Sequence, residues 1–127
     1  MCGSLRLEGV SKLLNKDIKV ISRSGIITTT WLGHARSESV GEKWSKYNPE
    51  RVDVAATAYT EKGCWFQVPQ SMVIKAIIAD DPKGERPRGL YLLTRAALPI
   101  ELDKAKRLGF PEHPRHPVVG SREYEAL

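Results

Sequence analysis

The stretch Ile18-Lys19-Val20-Ile21-Ser22-Arg23-Ser24-Gly25-Ile26-Ile27-Thr28-Thr29-Thr30-Trp31 decides the fold class. Its second half is almost entirely β-branched, a composition that crowds a helix at χ1 and suits a pleated surface. Arg23-Ser24-Gly25 offers a turn, so the stretch reads as a hairpin of strands 18–22 and 26–31. Further along, Val52, Val54, Ala56 and Ala58 alternate with polar neighbours, as in a half-buried strand. Lys62-Gly63 turns the chain into a strand from Cys64 to Val68, and Val73–Ala79 and Leu90–Thr94 read as two more. Asp81-Pro82-Lys83-Gly84 is a turn that leads into a basic loop.

Three segments carry helical signals. Ser11 to Asn15 has room for a short helix. Ser39 and Glu42 have capping-box spacing, which puts Val40, Trp44 and Tyr47 on one helical face before Pro49 ends it. Pro99 opens a helix through Leu108, with acids early, bases late and Gly109 as its stop. Pro111 to Gly120 is irregular, then briefly extended at Val118-Val119. Strands outnumber helices, so the expectation is one compact α+β domain over residues 1–127, built on mainly antiparallel sheet.

With 127 residues the chain has the size of one domain, and 41% hydrophobic with 28% charged residues are globular values. No uncharged run exceeds 12 residues, and one of that length, Gly63 to Ile74, is too short and too polar to span a bilayer. The N-terminus lacks the basic and apolar regions of a secretory signal, so a cytoplasmic protein with no membrane partner is expected, read as a monomer. The net charge of +5 is unevenly spread: residues 1–36 carry six bases and two acids, residues 37–81 five and seven, residues 82–115 eight and four. Two basic segments around an acidic middle fit either a phosphate-attracting face or an ordinary solvated surface. Cys2 and Cys64 are too few for a disulfide framework or a closed zinc site, and the three histidines form no H-x-x-x-H pair. No metal or cofactor is expected.

The first residues carry the most suggestive chemistry. Removal of Met1 before the small Cys2 would leave an α-amine beside a thiol. With a pKa near 7.7–8.0, roughly a tenth to a fifth of such an amine is neutral at pH 7. A neutral amine attacks an aldehyde to give a Schiff base, and the thiol can then close a thiazolidine on the same carbon. Alternatively, Cys2 is merely the second codon.

Five segments in order extend this reading. Gly33-His34-Ala35-Arg36-Ser37-Glu38-Ser39 resembles the N-A-R-x-E-[TS] segment of the SOS-response-associated peptidase (SRAP) family, whose members also begin Met-Cys-Gly. Trp31-Leu32-Gly33 is similar to a contracted R-W-G-L, and Ala58-Tyr59-Thr60-Glu61 to G-[FY]-[YF]-E-W. Leu92-Leu93-Thr94-Arg95-Ala96-Ala97 is similar to I-I-T-T-x-A, and His113-Pro114-Arg115-His116-Pro117-Val118-Val119 to H-x-R-M-P-V-I. The chain departs from the family at Ser4 (arginine), His34 (asparagine) and Lys62 (tryptophan), and it is much shorter than typical members.

The resemblance implies a barrel-like SRAP fold with a few short helices. It also implies a sensor of abasic sites in single-stranded DNA that forms a thiazolidine crosslink through Cys2, with lyase-type chemistry or cysteine autopeptidase activity at the same site. Glu61 would then be the acid–base group, or else a solvated carboxylate beside a turn. His113 would move a proton at the sugar ring oxygen, or else be a loop histidine. His34 would donate a hydrogen bond, or else be structural. Arg36 and Arg115, and more weakly Arg6, would contact phosphates, although either of the first two could instead hold Glu38. Trp31 would stack on a base, or else be core. Cys64, beside Trp65 and Phe66, reads as a buried small hydrophobe. An N-terminal cysteine hydrolase and a non-catalytic binder of single-stranded nucleic acid are the rival functions.

Overall fold

The computed structural model describes residues 2–61, 63–107 and 115–124. It is mostly β-sheet with few helices, as expected for an α+β chain. The first hairpin pairs β1 (Cys2–Leu7) with β2 (Val10–Leu13). Glu8 and Gly9 between them both have positive φ, 51° and 77°, the type I′ geometry whose twist matches flanking strands. Ser11 to Asn15 is therefore strand and turn rather than the expected helix. The hairpin of the 18–31 stretch is present as β3 (Asp17–Ser22) and β4 (Gly25–Arg36), the latter running on through His34 and Arg36. The Ser22 hydroxyl donates to Gly25 O and accepts from Ser24 N–H, closing the turn.

The alternating segment 52–58 supplies two strands rather than one. β5 (Glu50–Val54) and β6 (Ala58–Glu61) lie in different sheets, and Ala55 to Thr57 carry the chain across. The remaining strands are β7 (Cys64–Gln67), β8 (Met72–Ala79), β9 (Gly89–Ala96), β10 (Arg115–Pro117) and β11 (Val119–Ser121), with α1 (Pro99–Arg107) between β9 and β10. One sheet has the order β2-β1-β6-β7. The other runs β9-β4-β3-β5-β8 and closes because β8 also pairs with β9, giving a five-stranded barrel whose single parallel contact is β4 with β9.

β8 and β9 pair from Ala76–Leu92 to Ala79–Gly89 and then splay. Residues 115–121 fill the splay: β10 descends antiparallel to β9, and β11 leaves antiparallel to β8. Val118 sits at the fork, its N–H donating to Leu93 O and its own carbonyl accepting from Lys75 N–H, both at 2.8 Å. The Asp53 carboxylate fastens the chain beyond β11, taking Lys75 Nζ at 2.9 Å and the Glu123 N–H at 2.7 Å.

The main core lies between barrel and four-stranded sheet and joins Leu5, Tyr59 and Val68 to Trp31, Val54, Leu90 and Leu92. A second cluster under residues 40–47 holds Leu32, Ile77, Tyr91 and Leu93, with Val40, Trp44 and Tyr47 packed on it. Those three face the core as expected, but at two 3₁₀ turns rather than on one helix: Val40 caps the end of Ser37–Ser39, Trp44 precedes Ser45–Tyr47, and Tyr47 closes it. Asn48 in the left-handed region ends the second turn before Pro49. The helix at Pro99 forms through Arg107; Leu108 and Gly109 fall outside the described residues.

Close approach fixes one residue of the barrel seam. A Cβ on Gly89 would lie 2.5 Å from Leu32 Cδ1 and 2.9 Å from the Thr30 carbonyl oxygen. Gly89→Ala is expected to cost about 1–3 kcal/mol, as overpacking does, read as a lower urea midpoint with an unchanged slope. An unchanged midpoint would show that the seam gives way freely.

Candidate functional site

Glu61 ends β6, and the register sets Cys2 of β1 opposite it on one side and Cys64 of β7 on the other. Directly opposed residues are the nearest neighbours across antiparallel strands, so one row of the sheet holds residues 2, 61 and 64. A register shift between Cys2 and Leu5, the mark of a bulge, re-aims the start of β1. Glu61 is only 3% exposed, which sets aside its reading as a solvated carboxylate. Cys64 is a free thiol and half-buried at the hairpin end, less enclosed than its apolar neighbours suggest.

Two residues back along β6 from Glu61, Tyr59 begins a buried polar chain. Its hydroxyl lies 2.9 Å from His116 Nδ1, and His116 is 1% exposed. Phe66 meets the imidazole edge-on at 4.8 Å and stacks on Tyr59. Glu101 Oε2 approaches the same His116 nitrogen at 3.4 Å. Arg95 grips Glu101 with both terminal nitrogens, at 2.7 and 2.9 Å. Glu101 also accepts the Leu98 N–H, capping α1. Burial works against the ionised form of Glu101, but Arg95 and the Leu98 N–H outweigh it and hold its pKa below the ordinary carboxylate range. Burial pushes the His116 pKa down, as does Arg95, with Glu101 opposing.

The other expected site residues divide. Arg115 forks onto Glu38 at 2.6 and 3.2 Å and donates to Thr94 O at 2.8 Å, so the alternative in which it holds Glu38 is realised. The Arg115 hydrogen bonds hold Glu38 well below the ordinary carboxylate range. Trp31 is fully buried, its indole N–H bonded to Gly33 O; it is core, with no face open to a base. The bulky ring fills the barrel at Leu90, where solvent and substrate do not reach. His34 is half-buried, edge-on to Trp31 at 5.7 Å. Arg36 is exposed at the end of β4, and Arg6 lies over the Trp65 ring at 4.4 Å. His113 lies outside the described residues.

Sequence reasoning missed His116, Tyr59, Glu101 and Arg95 as a unit. Tyr59, Arg95 and His116 stand in the segments that carry the family resemblance, but only the pairing of β10 with β9 brings His116 to Arg95. Among the described residues no three His, Cys, Asp or Glu side chains converge as a metal site, and no helix is long and apolar enough to cross a membrane. Comparison with protein-family models, curated proteins and solved structures finds no match in any of the three.

The buried imidazole makes stability depend on pH in a stated direction. A histidine whose folded pKa lies below its unfolded value of about 6.5 favours folding when neutral, so stability falls as pH drops from 7 through that value. His116→Gln, which still offers Tyr59 an acceptor, is expected to flatten urea-measured stability between about pH 6.5 and 5. A wild-type profile already flat over that window would contradict the assignment.

Proposed function

We propose that the protein captures abasic sites in single-stranded DNA as a thiazolidine on Cys2, after removal of Met1. The observation that carries this reading is the register of Cys2 opposite the buried Glu61 at the bulged start of β1. The motif order along the chain and its positive charge support it as well.

The chemistry needs only the residues at hand. The neutral α-amine of Cys2 adds to the aldehyde carbon of the ring-opened sugar to give a carbinolamine. Glu61 gives a proton to the departing hydroxyl, water leaves, and the carboxylate takes the nitrogen's proton in return, leaving a Schiff base. The thiol then adds across the C=N bond, sulfur to carbon and proton to nitrogen, closing the five-membered ring. One water is released overall, and no electrons are exchanged.

Incubation with a single-stranded oligonucleotide bearing one abasic site is expected to give a covalent adduct lacking Met1 and one water, read by intact mass. Cys2→Ser should abolish the stable adduct, and Glu61→Gln should slow its formation by about 100-fold, the lower range for general acid–base catalysis. An adduct of undiminished yield with Cys2→Ala would refute the mechanism. Turnover of amides with no adduct would instead favour the N-terminal cysteine hydrolase.

A further inference from the structure

β5 leaves the barrel early. It meets β3 at a single pair, Ile21 with Asp53, and beyond Val54 the chain crosses to the other sheet. In the β3–β4 hairpin, pairs that exchange hydrogen bonds alternate with pairs that do not. The Trp31 N–H donates to Lys16 O, so the even-numbered residues of β3 bond to β4, and Asp17, Lys19 and Ile21 turn their backbone groups the other way. Ile21 faces Asp53 there. Among the described residues no backbone partner meets Asp17 or Lys19 on that side.

This bare edge borders a cleft of about 410 Å³ between β3 and the tip of the β1–β2 hairpin. Residues 17–21 all line it, so the cleft touches both faces of the strand, as it does at an edge. Across from them stand Leu7, which packs toward the core, and its pair Val10. Val10 is 54% exposed, a large fraction for an aliphatic residue aimed at the barrel. Lys12, Lys19 and Arg122 stand on the rim, and none of them is ion-paired among the described residues. Glu8 and Asp17 share the rim, where the Asp17 carboxylate accepts the Thr30 hydroxyl at 2.6 Å. Three cations against two carboxylates leave the rim positive.

We propose that this cleft takes an extended segment of a partner protein, apolar on one face and acidic on the other, which adds a strand to β3 in the place β5 vacates. In strand addition, main-chain hydrogen bonds give affinity and side chains at alternate positions give selectivity. Asp17 and Lys19 each present an N–H and a C=O, about 7 Å apart, the repeat of alternate residues in a strand. Inner side chains of the added strand meet Ile18, Val20, Leu7 and Val10. Those on its other face come beside Lys19, where acids complement the rim. A strand uses the bare backbone groups and the apolar wall together, which a lipid chain does not. The cleft lies at the Leu7 end of β1, about 17 Å along the strand from Cys2, so the proposal does not rest on the capture chemistry.

Binding of acetyl-Val-Glu-Val-Glu-Val-amide is measured by NMR titration of the isotope-labelled full chain. Saturable shifts are expected at Lys19 and Val10, with slower exchange of the Lys19 N–H. Methylating alternate peptide nitrogens tests the pairing without altering the protein, because one set of N–H groups faces β3 and the other faces away. Affinity should fall about tenfold or more in one methylated form and stay within about threefold in the other. Acetyl-Val-Lys-Val-Lys-Val-amide should bind about fivefold more weakly at low salt, and Lys19→Glu should reverse that order. Equal affinity of the two methylated forms, shifts confined to other surfaces, or no saturable binding at millimolar peptide would overturn the added strand. A concentration-dependent dimer that protects the Lys19 N–H without peptide would assign the edge to a second copy and overturn the partner segment.

Discussion

Backbone polar groups that leave one partner must find another, and the parting of β8 from β9 makes that requirement govern the fold. Beyond Ala76 and Leu92 each strand turns bare N–H and C=O groups toward the gap between them. Residues 115–121 meet them by running down one strand and up the other, with Val118 bonded to both at the fork. The wedge also delivers His116 to Tyr59 and Arg115 to Glu38 and Thr94. The polar side of the candidate site thus follows from a backbone requirement of the barrel.

Buried charge is handled by the same sharing of partners. Asp53, almost without solvent contact, takes Lys75 and two successive backbone N–H groups, so β5, β8 and the segment after β11 share one carboxylate. Glu101 likewise joins α1, β9 and β10 through Leu98, Arg95 and His116. Removing one partner from such a group leaves an uncompensated charge, which costs far more than the pair contributes while intact. These contacts fix geometry more than they add stability.

Much of this was legible in sequence wherever the information is local. The β-branched run 26–30 and the turn at Arg23–Gly25 announced β3 and β4, and the acid-to-base gradient after Pro99 announced α1. The β1–β2 hairpin escaped because Glu8-Gly9 is a weaker turn signal than Asn-Gly or Asp-Gly, and Ser11 to Asn15 lacks the alternation of a two-faced strand. Val40, Trp44 and Tyr47 have helical spacing yet sit on 3₁₀ turns, because packing against Tyr91 and Ile77 fixes their direction without a continuous hydrogen-bonded helix. In the site, Cys2 and Glu61 could be singled out from motifs, whereas His116 could not. Its surroundings come from β6, β9 and α1, which are remote in the chain.

The parallel contact between β4 and β9 joins segments about sixty residues apart, and it is one of the ring of pairings that closes the barrel. Nearly every element between them must be in place before that contact is rewarded, and the wedge at Val118 comes later still in the chain. Non-local pairing of this kind carries a large loop-closure entropy before any hydrogen bond offsets it. A chain emerging residue by residue therefore holds β4 and β5, on either side of β3, as open edges until β9 and β8 arrive. Because His116 follows β9 in the chain, the Tyr59–His116 contact is available only once nearly the whole domain has been synthesised, whereas the pairing of Cys2 with Glu61 needs only the first half.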